Sequence, residues 1–109
     1  MANLTIRAHA KINLDLRLGP RRADGFHPID TLFVRTEVAD LLSVSPSTDG
    51  SLGLEIEGDQ TLAAGPDNLV LRAAQALQAH SKTTTGARLR LKKEIPQGAG
   101  LGGGSTDAA

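Results

Sequence analysis

The chain has 109 residues, and its 12 Lys and Arg balance 12 Asp and Glu, so the formal net charge is zero. That balance argues against generic binding to nucleic acid or to an anionic membrane surface, and without cysteine there is no disulfide or thiolate metal site. No apolar stretch approaches the roughly 20 residues that cross a bilayer, and residues 1–10 alternate instead of forming a signal-peptide core. We therefore expect one modest domain, or part of a larger one, in the cytoplasm.

Alternating apolar and polar residues predict strands over most of the first half of the chain. A charged loop closed by Asp24-Gly25 follows the second strand, and Ala39-Asp40 is read as a break between the third and fourth. The predicted strands cover residues 4–8, 12–18, 30–37, 41–44 and 52–56.

A helix is predicted after Gly65-Pro66, with Asp67 as its N-cap. Its apolar face comprises Leu69, Val70, Ala73, Ala74, Ala76 and Leu77, whereas Leu71 falls off that face. A strand over residues 87–91 then leads to the end of the chain. This order of mostly strands, one helix, a strand and a second helix start favours an α+β fold over a strictly alternating parallel α/β sheet.

Residues 96–109 are the most informative segment, because small residues from 98 to 104 run into candidate helix N-cap residues. Ser105, Thr106 and Asp107 are all good N-caps, and two alanines follow. Free N–H groups at such a loop and helix start attract anions. The first hypothesis is therefore a phosphate-binding loop.

Two familiar phosphate loops fit this segment poorly. The P-loop of nucleoside triphosphatases needs a lysine directly after its last glycine, and none is present. The dinucleotide fingerprint is met by Gly98, Gly100 and Gly103, but so glycine-rich a segment meets many patterns, and the acidic residue expected about 20 positions later is not in the chain. A glycine-rich surface turn without a ligand stays open as the simple alternative.

A third pattern fits better. Pro96 followed by Gly100-Leu101-Gly102 resembles the P-x-x-x-G-L-G-S-S-A loop of the GHMP kinases, and the replacement of the two serines by Gly103 and Gly104 is typical of one branch of that superfamily. The segments Ala10–Leu14 and Arg22–His27 resemble the N-terminal signature of the same branch, A-K-[IL]-N-L with R-x-D-G-[YF]-H. Asp67–Val70 is a weaker third match. The resemblance covers essentially the whole chain.

The resemblance implies an α+β fold with a mostly antiparallel sheet and helices on one side, a fold shared with a domain of a small-subunit ribosomal protein. It implies ATP and Mg²⁺ as cofactors and transfer of phosphate to the 2-hydroxyl of 4-diphosphocytidyl-2-C-methyl-D-erythritol in the non-mevalonate isoprenoid pathway. The alternatives are a homoserine or mevalonate-type kinase and, in another class, an RNA-binding module, which zero net charge and few aromatics disfavour. We expect small-molecule partners, no nucleic acid or membrane, and a possible homodimer.

The same resemblance assigns roles to individual residues. Lys11 is the implied catalytic residue, which would offset developing negative charge and favour deprotonation of the attacking hydroxyl. Asn13 would contact the substrate near that hydroxyl, Phe26 would stack on its cytosine, and His27 would read the base. Without the resemblance, Lys11 would be a solvated strand residue and Phe26 a loop anchor. The implied ATP-binding residues are Pro96, Gln97, Gly98, Ala99, Gly100, Leu101, Gly102, Gly103, Gly104, Ser105 and Thr106.

Four other polar residues are also interpreted from the sequence. The alternative for Ser105 and Thr106 is that one of them is only the helix N-cap. Asp107 is read as a first-turn acidic residue, and His9 as an ordinary strand residue. The aspartate base of the family lies beyond the glycine loop, as does its C-terminal domain. We therefore expect residues 1–109 to be a partial N-terminal domain that is inactive alone, with no protein metal ligand nominated.

Overall fold

The computed structural model describes residues 3–109, which form a four-stranded sheet and two helices. In chain order the elements are β1 (Leu4–Leu18), β2 (Ile29–Ser47), β3 (Leu52–Glu57), α1 (Leu69–Ser81), β4 (Gly86–Lys92) and α2 (Gly103–Ala108). Neither helix within the described residues has the length and apolar character needed to cross a membrane.

The strands lie in the order β1-β2-β4-β3. β2 pairs antiparallel with both β1 and β4, while β3 pairs parallel with β4 through the connection that contains α1. Both helices lie on one side of the sheet, since they line one cavity together with Leu42, Val44 and Leu89. The expectation of a mostly antiparallel sheet with helices on one side is thereby confirmed.

The core lies between α1 and the last three strands. Val70, Leu89 and Leu91 are its buried centre, and partly buried apolar residues surround them: Leu42, Val44, Leu54, Ile56, Ala74 and Ala87. The opposite face of the sheet is polar, because residues paired across strands share a face and the pairs there include Ser43 with Arg90. Binary patterning of the strands therefore decides which side receives the helices.

The two predicted N-terminal strands are one strand. β1 continues from Leu4 to Leu18, and its pairing with β2 shifts register between His9 and Lys11 and again between Asn13 and Asp15. A β-bulge interrupts the period-two pattern without ending the strand. The break in alternation that suggested a boundary therefore marks an irregularity within a continuous hairpin.

The predicted break at Ala39-Asp40 is also wrong. β2 runs through both residues, which are 4% and 0% exposed, and the Asp40 carboxylate is satisfied by partners far along the chain. Because the charge of Asp40 is paired inside the fold, this acidic residue does not mark a turn.

The predicted helix after residue 66 is present, with two corrections. Its N-cap is Asn68, not Asp67, and the Asn68 side chain accepts a hydrogen bond from the Val70 amide at 2.9 Å. Leu71 is buried, whereas Leu77 is 67% exposed. Only the first turns of α1 pack deeply against the sheet. The burial of a residue in α1 therefore depends more on its position along the helix than on the apolar periodicity.

Candidate functional site

The glycine-rich loop has a backbone that other residues adopt with difficulty. Gly98, Gly100 and Gly102 have φ of +70°, +74° and +69°, in the left-handed region. Within residues 3–109 the amide N–H groups of Gly100, Leu101 and Gly102 have no hydrogen-bond acceptor. Consecutive unpaired amides in such a turn form a concave surface that suits an anion.

Gly103 accounts for the absence of the first family serine. A Cβ at this position would lie 2.9 Å from Ile95 Cγ2 and 3.3 Å from Lys93 Nζ. Close approach of the helix start to the end of β4 therefore requires glycine here. The serine-to-glycine change is a packing requirement of this chain.

Lys11 joins β1 to the glycine loop. Its backbone amide donates to the Leu101 carbonyl at 3.0 Å, and its Nζ donates to the Gly100 carbonyl at 2.9 Å and to Asn13 Oδ1 at 2.7 Å. The fold thus brings together three of the residues singled out in the sequence, Lys11, Asn13 and Gly100, across 89 positions of chain. An ammonium group is held beside the loop amides.

Asn13 is fixed by a short hydrogen-bond chain. Its Nδ2 donates to Thr31 Oγ1 at 2.9 Å, and Thr31 Oγ1 donates to the Asp15 carbonyl at 2.7 Å. These partners orient the Asn13 amide with its oxygen toward Lys11. Nothing in the sequence distinguishes Thr31, because its contact with Asn13 depends on the register of β1 against β2.

An open cavity of about 460 Å³ lies against Lys11 and α2. The Ser105 and Thr106 side of α2 forms one wall, and strand residues form the other; its lining comprises His9, Ala10, Lys11, Phe33, Arg35, Gly102, Ser105 and Thr106. His9 is half-buried there, with Nδ1 2.8 Å from the Thr36 carbonyl. His9 lies in β1, as expected of an ordinary strand residue, and it also lines the cavity beside Lys11.

The predicted cap of the second helix is wrong. Gly102 is the N-cap of α2 and provides no side-chain hydrogen bond, so Ser105 and Thr106 lie inside the helix, not before it. Their hydroxyls are consequently not used as caps of α2. Both residues are instead placed along the cavity that contains Lys11.

A second cavity, of about 230 Å³, lies on the other side of the loop. Gln97 and Gly104 line it from the loop, and α1 and its preceding residues contribute Leu62, Asp67, Asn68, Leu69 and Val70. Leu91, Lys93 and Asp107 complete its lining, so the loop lies between two cavities that both carry charged side chains.

Phe26 and His27 lie on the connection between β1 and β2, away from the lining of either cavity. Phe26 is 70% exposed, and its amide donates to Asp24 Oδ1 at 3.0 Å. The His27 ring contacts the Gly19 carbonyl at 2.9 Å through Nδ1. A carbonyl only accepts, so Nδ1 carries the hydrogen and Nε2 is left for another group.

Asp107 belongs to a buried ion triad, which sequence reasoning did not find. Lys93 Nζ donates to Asp40 Oδ2 at 2.6 Å and to Asp107 Oδ2 at 2.8 Å, and the three residues are 7%, 0% and 3% exposed. Asp40 Oδ1 also accepts from the Glu94 and Ile95 amides at 2.6 and 2.8 Å. The expectation that Asp107 is a first-turn acidic residue is wrong, because Asp107 lies beyond the first turn of α2 and ties α2 to β2 and to the residue after β4.

The two carboxyls of the triad differ in pKa. Burial and then a hydrogen bond with Asp40 raise the pKa of Asp107 to about 7, against the opposing effect of Lys93. Burial acts in the same direction on Asp40, but hydrogen bonds from Asp107, Ile95, Lys93 and Glu94 outweigh it and lower its pKa. Those carboxylates together raise the pKa of Lys93 despite its burial. Asp107 Oδ1 is a buried oxygen without a hydrogen-bond partner among the described residues, which adds to the cost of the charged form.

We expect Asp107→Asn to flatten the pH dependence of stability between about pH 4 and pH 7. The pKa of Asp107 is about 7 in the fold and about 3.9 in an unfolded chain, so the folded state binds more protons across this window. The free energy of unfolding therefore falls as pH rises toward 7, and the amide lacks this titration. Urea unfolding at pH 5 and pH 8 measures the difference, with the exposed Asp67→Asn as control. An unchanged slope in Asp107→Asn would contradict the assignment.

No group of three or more His, Cys, Asp and Glu side chains within residues 3–109 is placed to hold a metal ion. Asp40 and Asp107 come together, but the Lys93 ammonium occupies the position between them. In the cavity at Lys11, the side-chain oxygens of the lining are the hydroxyls of Ser105 and Thr106.

The fold has counterparts among known proteins. The family model "GHMP kinases N terminal domain" matches residues 68–109, which contain α1, β4, the glycine loop and α2. A crystal structure of 4-(cytidine 5'-diphospho)-2C-methyl-D-erythritol kinase superposes on 96% of the chain with a TM-score of 0.76 and 43% identity. The chain folds as a GHMP kinase N-terminal domain. The α+β class expected from the sequence is confirmed.

Curated relatives of this GHMP domain are kinases by name. The 4-diphosphocytidyl-2-C-methyl-D-erythritol kinase of Alcanivorax borkumensis is 45% identical over 107 residues, and that of Xanthobacter autotrophicus is 49% identical over 114 residues. The matches cover 97% and 100% of this chain but 36% and 37% of those relatives. The chain thus spans about 36% of the Alcanivorax relative's length.

A homoserine kinase from Cytophaga hutchinsonii shares the architecture. It covers 97% of the chain with a TM-score of 0.75, but the sequences are 20% identical, and the match spans 32% of that protein. The likeness therefore concerns the fold of the GHMP domain alone.

Proposed function

We propose that the protein is a kinase that transfers the γ-phosphoryl group of ATP to the 2-hydroxyl of 4-diphosphocytidyl-2-C-methyl-D-erythritol. The observation that carries the proposal is the position of Lys11 Nζ, 2.9 Å from the Gly100 carbonyl of the glycine loop. The identity of 43–49% with proteins named for this activity supports the same substrate. Residues 3–109 would supply the phosphate loop and part of the substrate site.

The glycine loop is proposed to bind the phosphates of ATP. The free amides of Gly100, Leu101 and Gly102 would donate to phosphate oxygens, and the Ser105 and Thr106 hydroxyls face the same space as Lys11. The nucleoside would enter the cavity on the far side of the loop, where Leu62 and Leu69 offer an apolar surface. ATP would then span the loop, with its reactive end toward Lys11.

Lys11 and Asn13 are proposed to position the reacting groups. In the transfer, the substrate oxygen bonds to the γ-phosphorus while the bond from that phosphorus to the β–γ bridging oxygen breaks, which leaves ADP. The Lys11 ammonium would stabilise negative charge on the transferred group, and Asn13 would hydrogen-bond near the hydroxyl. The hydroxyl proton would pass to an aspartate outside residues 1–109, in a segment that corresponds to the part of the relatives that this chain does not span.

Mg²⁺ fits this site only as a complex with ATP. Hydroxyls and no carboxylate cluster lie beside the loop within residues 3–109, and magnesium in kinase sites is bound largely by substrate phosphates and water. The ion would neutralise phosphate charge when bound. We further propose that the protein is cytoplasmic. We also propose that it forms a homodimer, which the exposed apolar residues Leu14, Leu16 and Leu18 of β1 would favour.

We expect the full-length protein to phosphorylate the cytidine-linked substrate at least about tenfold better, in kcat/KM, than its uridine analogue, since a site built to bond one base edge rejects the other. Phe26→Ala is expected to raise KM for the alcohol about tenfold, because stacking on a base contributes roughly 1–3 kcal/mol. His27→Ala should erase the base preference. Coupled detection of ADP measures each value.

The His80→Ala variant, at the exposed end of α1, is the matched control and should behave as wild type. Equal use of the cytidine and uridine substrates would overturn the assignment of Phe26 and His27. Efficient phosphorylation of homoserine or a mevalonate derivative, with no turnover of the cytidine compound, would replace the proposed substrate by the alternative class.

A further inference from the structure

Arg35 stands directly opposite Lys11 in the β1–β2 ladder. Directly opposed residues in an antiparallel pair project from the same face with their Cβ atoms about 5 Å apart. Both side chains accordingly line the same open cavity of about 460 Å³. The strand register thus adds a second cation beside the one already described.

This pair of cations has no compensating acid. No carboxylate lines the cavity, and the ion pairs formed within residues 3–109 involve neither Lys11 nor Arg35. Lys11 Nζ is bonded to neutral oxygens, those of Asn13 and Gly100, whereas Arg35 donates no side-chain hydrogen bond to any described residue. Like charges directly opposite each other destabilise a strand pair. Two cations that line one cavity without an acid partner attract an anion to it.

The other walls of the cavity are suited to phosphate. Ser105 and Thr106 bring hydroxyl donors from α2, and His9 of β1 is a half-buried residue of the same lining. Guanidinium is planar and binds two oxygens of a phosphoryl group at once, which an ammonium does not. Arg35 therefore complements Lys11 rather than duplicating it.

We propose that Arg35 is a further phosphoryl-binding residue, which holds a phosphate group of a bound substrate in the cavity it shares with Lys11. This inference rests on the proposed kinase function for its ligand, and two substrates bring the same chemistry. The group is either the terminal phosphate of ATP or the diphosphate of the alcohol substrate.

The test measures binding separately from catalysis, in the full-length protein. Titration calorimetry with inorganic tripolyphosphate is expected to give an about tenfold higher Kd for Arg35→Leu than for wild type, since one charge-assisted bidentate contact is lost. Arg35→Lys should recover part of the affinity. Arg88→Leu removes the same charge from an exposed position on β4 and should bind as wild type does.

Thermal unfolding separates a binding role from a structural one. Because Arg35→Leu removes repulsion with Lys11, its Tm without ligand is expected to equal or exceed that of wild type. Unchanged tripolyphosphate affinity in Arg35→Leu, or a loss of affinity accompanied by a lower Tm, would overturn the inference.

Two further titrations identify the source of the phosphate. If Arg35→Leu weakens binding of a non-hydrolysable ATP analogue and leaves CDP binding unchanged, the phosphate group is that of ATP. If it weakens CDP binding and leaves binding of the ATP analogue unchanged, the group is the diphosphate of the alcohol substrate. The proposed function is judged independently: if wild type binds tripolyphosphate through Arg35 but phosphorylates no alcohol, the kinase proposal fails and the anion site stands. If wild type is an active kinase and Arg35→Leu binds and works equally well, the anion site fails alone.

Discussion

Lys11→Ala is expected to lower kcat of the full-length protein by about 10²–10³-fold, the usual cost of removing one preorganised donor from a developing negative charge. The Lys11 ammonium is held by Gly100 and Asn13 at 2.9 and 2.7 Å, so it is oriented before any substrate arrives. Steady-state rates with saturating ATP and alcohol measure the effect. KM values should change less than kcat, because the charge that Lys11 stabilises grows during transfer.

The control for Lys11→Ala is Lys92→Ala, which removes an exposed lysine from the end of β4. A loss below about threefold in Lys11→Ala would contradict the catalytic assignment. Binding of a non-hydrolysable ATP analogue separates the alternatives: if its affinity falls as far as kcat does, Lys11 acts by holding the Gly100 carbonyl and the loop, not by stabilising the transferred group.

Lys93→Met is expected to reduce the free energy of unfolding by about 3–5 kcal/mol, since removal of one partner from a buried ion pair leaves the remaining charge uncompensated. Here two carboxyls, Asp40 and Asp107, would lose their shared cation at 2.6 and 2.8 Å in a site that is almost inaccessible to water. Denaturant unfolding at pH 7 of the full-length protein measures the loss.

Lys92→Met, one residue earlier and exposed, should change stability by no more than about 0.5 kcal/mol, as is usual at the surface. Equal effects of the two variants would show that the triad is not buried as described. The combined variant Lys93→Met with Asp40→Asn and Asp107→Asn is expected to be more stable than Lys93→Met alone, because no uncompensated charge remains.

The local patterns in the sequence predicted the elements well where burial alternates along a single strand. β3, β4 and the start of α1 are close to their predicted positions, since their apolar residues face one core. β1 and β2 were divided wrongly because bulges and a buried acid at Asp40 interrupt the alternation without ending hydrogen bonding. Such interruptions and true turns look alike in sequence.

Only those residues of the candidate site that belong to motifs could be predicted from the sequence. The family resemblance singled out Lys11 and Asn13, and composition singled out the glycine loop; these parts meet in the fold. Arg35 and Thr31 did not, because their positions opposite Lys11 and beside Asn13 follow from the register of two long strands. A shift of that register by one residue would point each of them to the other face.

Local sequence was enough to predict β3, β4, a helix after residue 66 and a glycine loop before the last helix, and its motifs carry the resemblance to the superfamily. These are properties of residues close together in the chain, where backbone preference and short motifs act directly. The bond of Lys93 to Asp40 across 53 positions, and the completion of the triad by Asp107, depend on tertiary structure. Buried charges are stable only when they meet partners of opposite sign, and those partners come from elements that pairing and packing bring together.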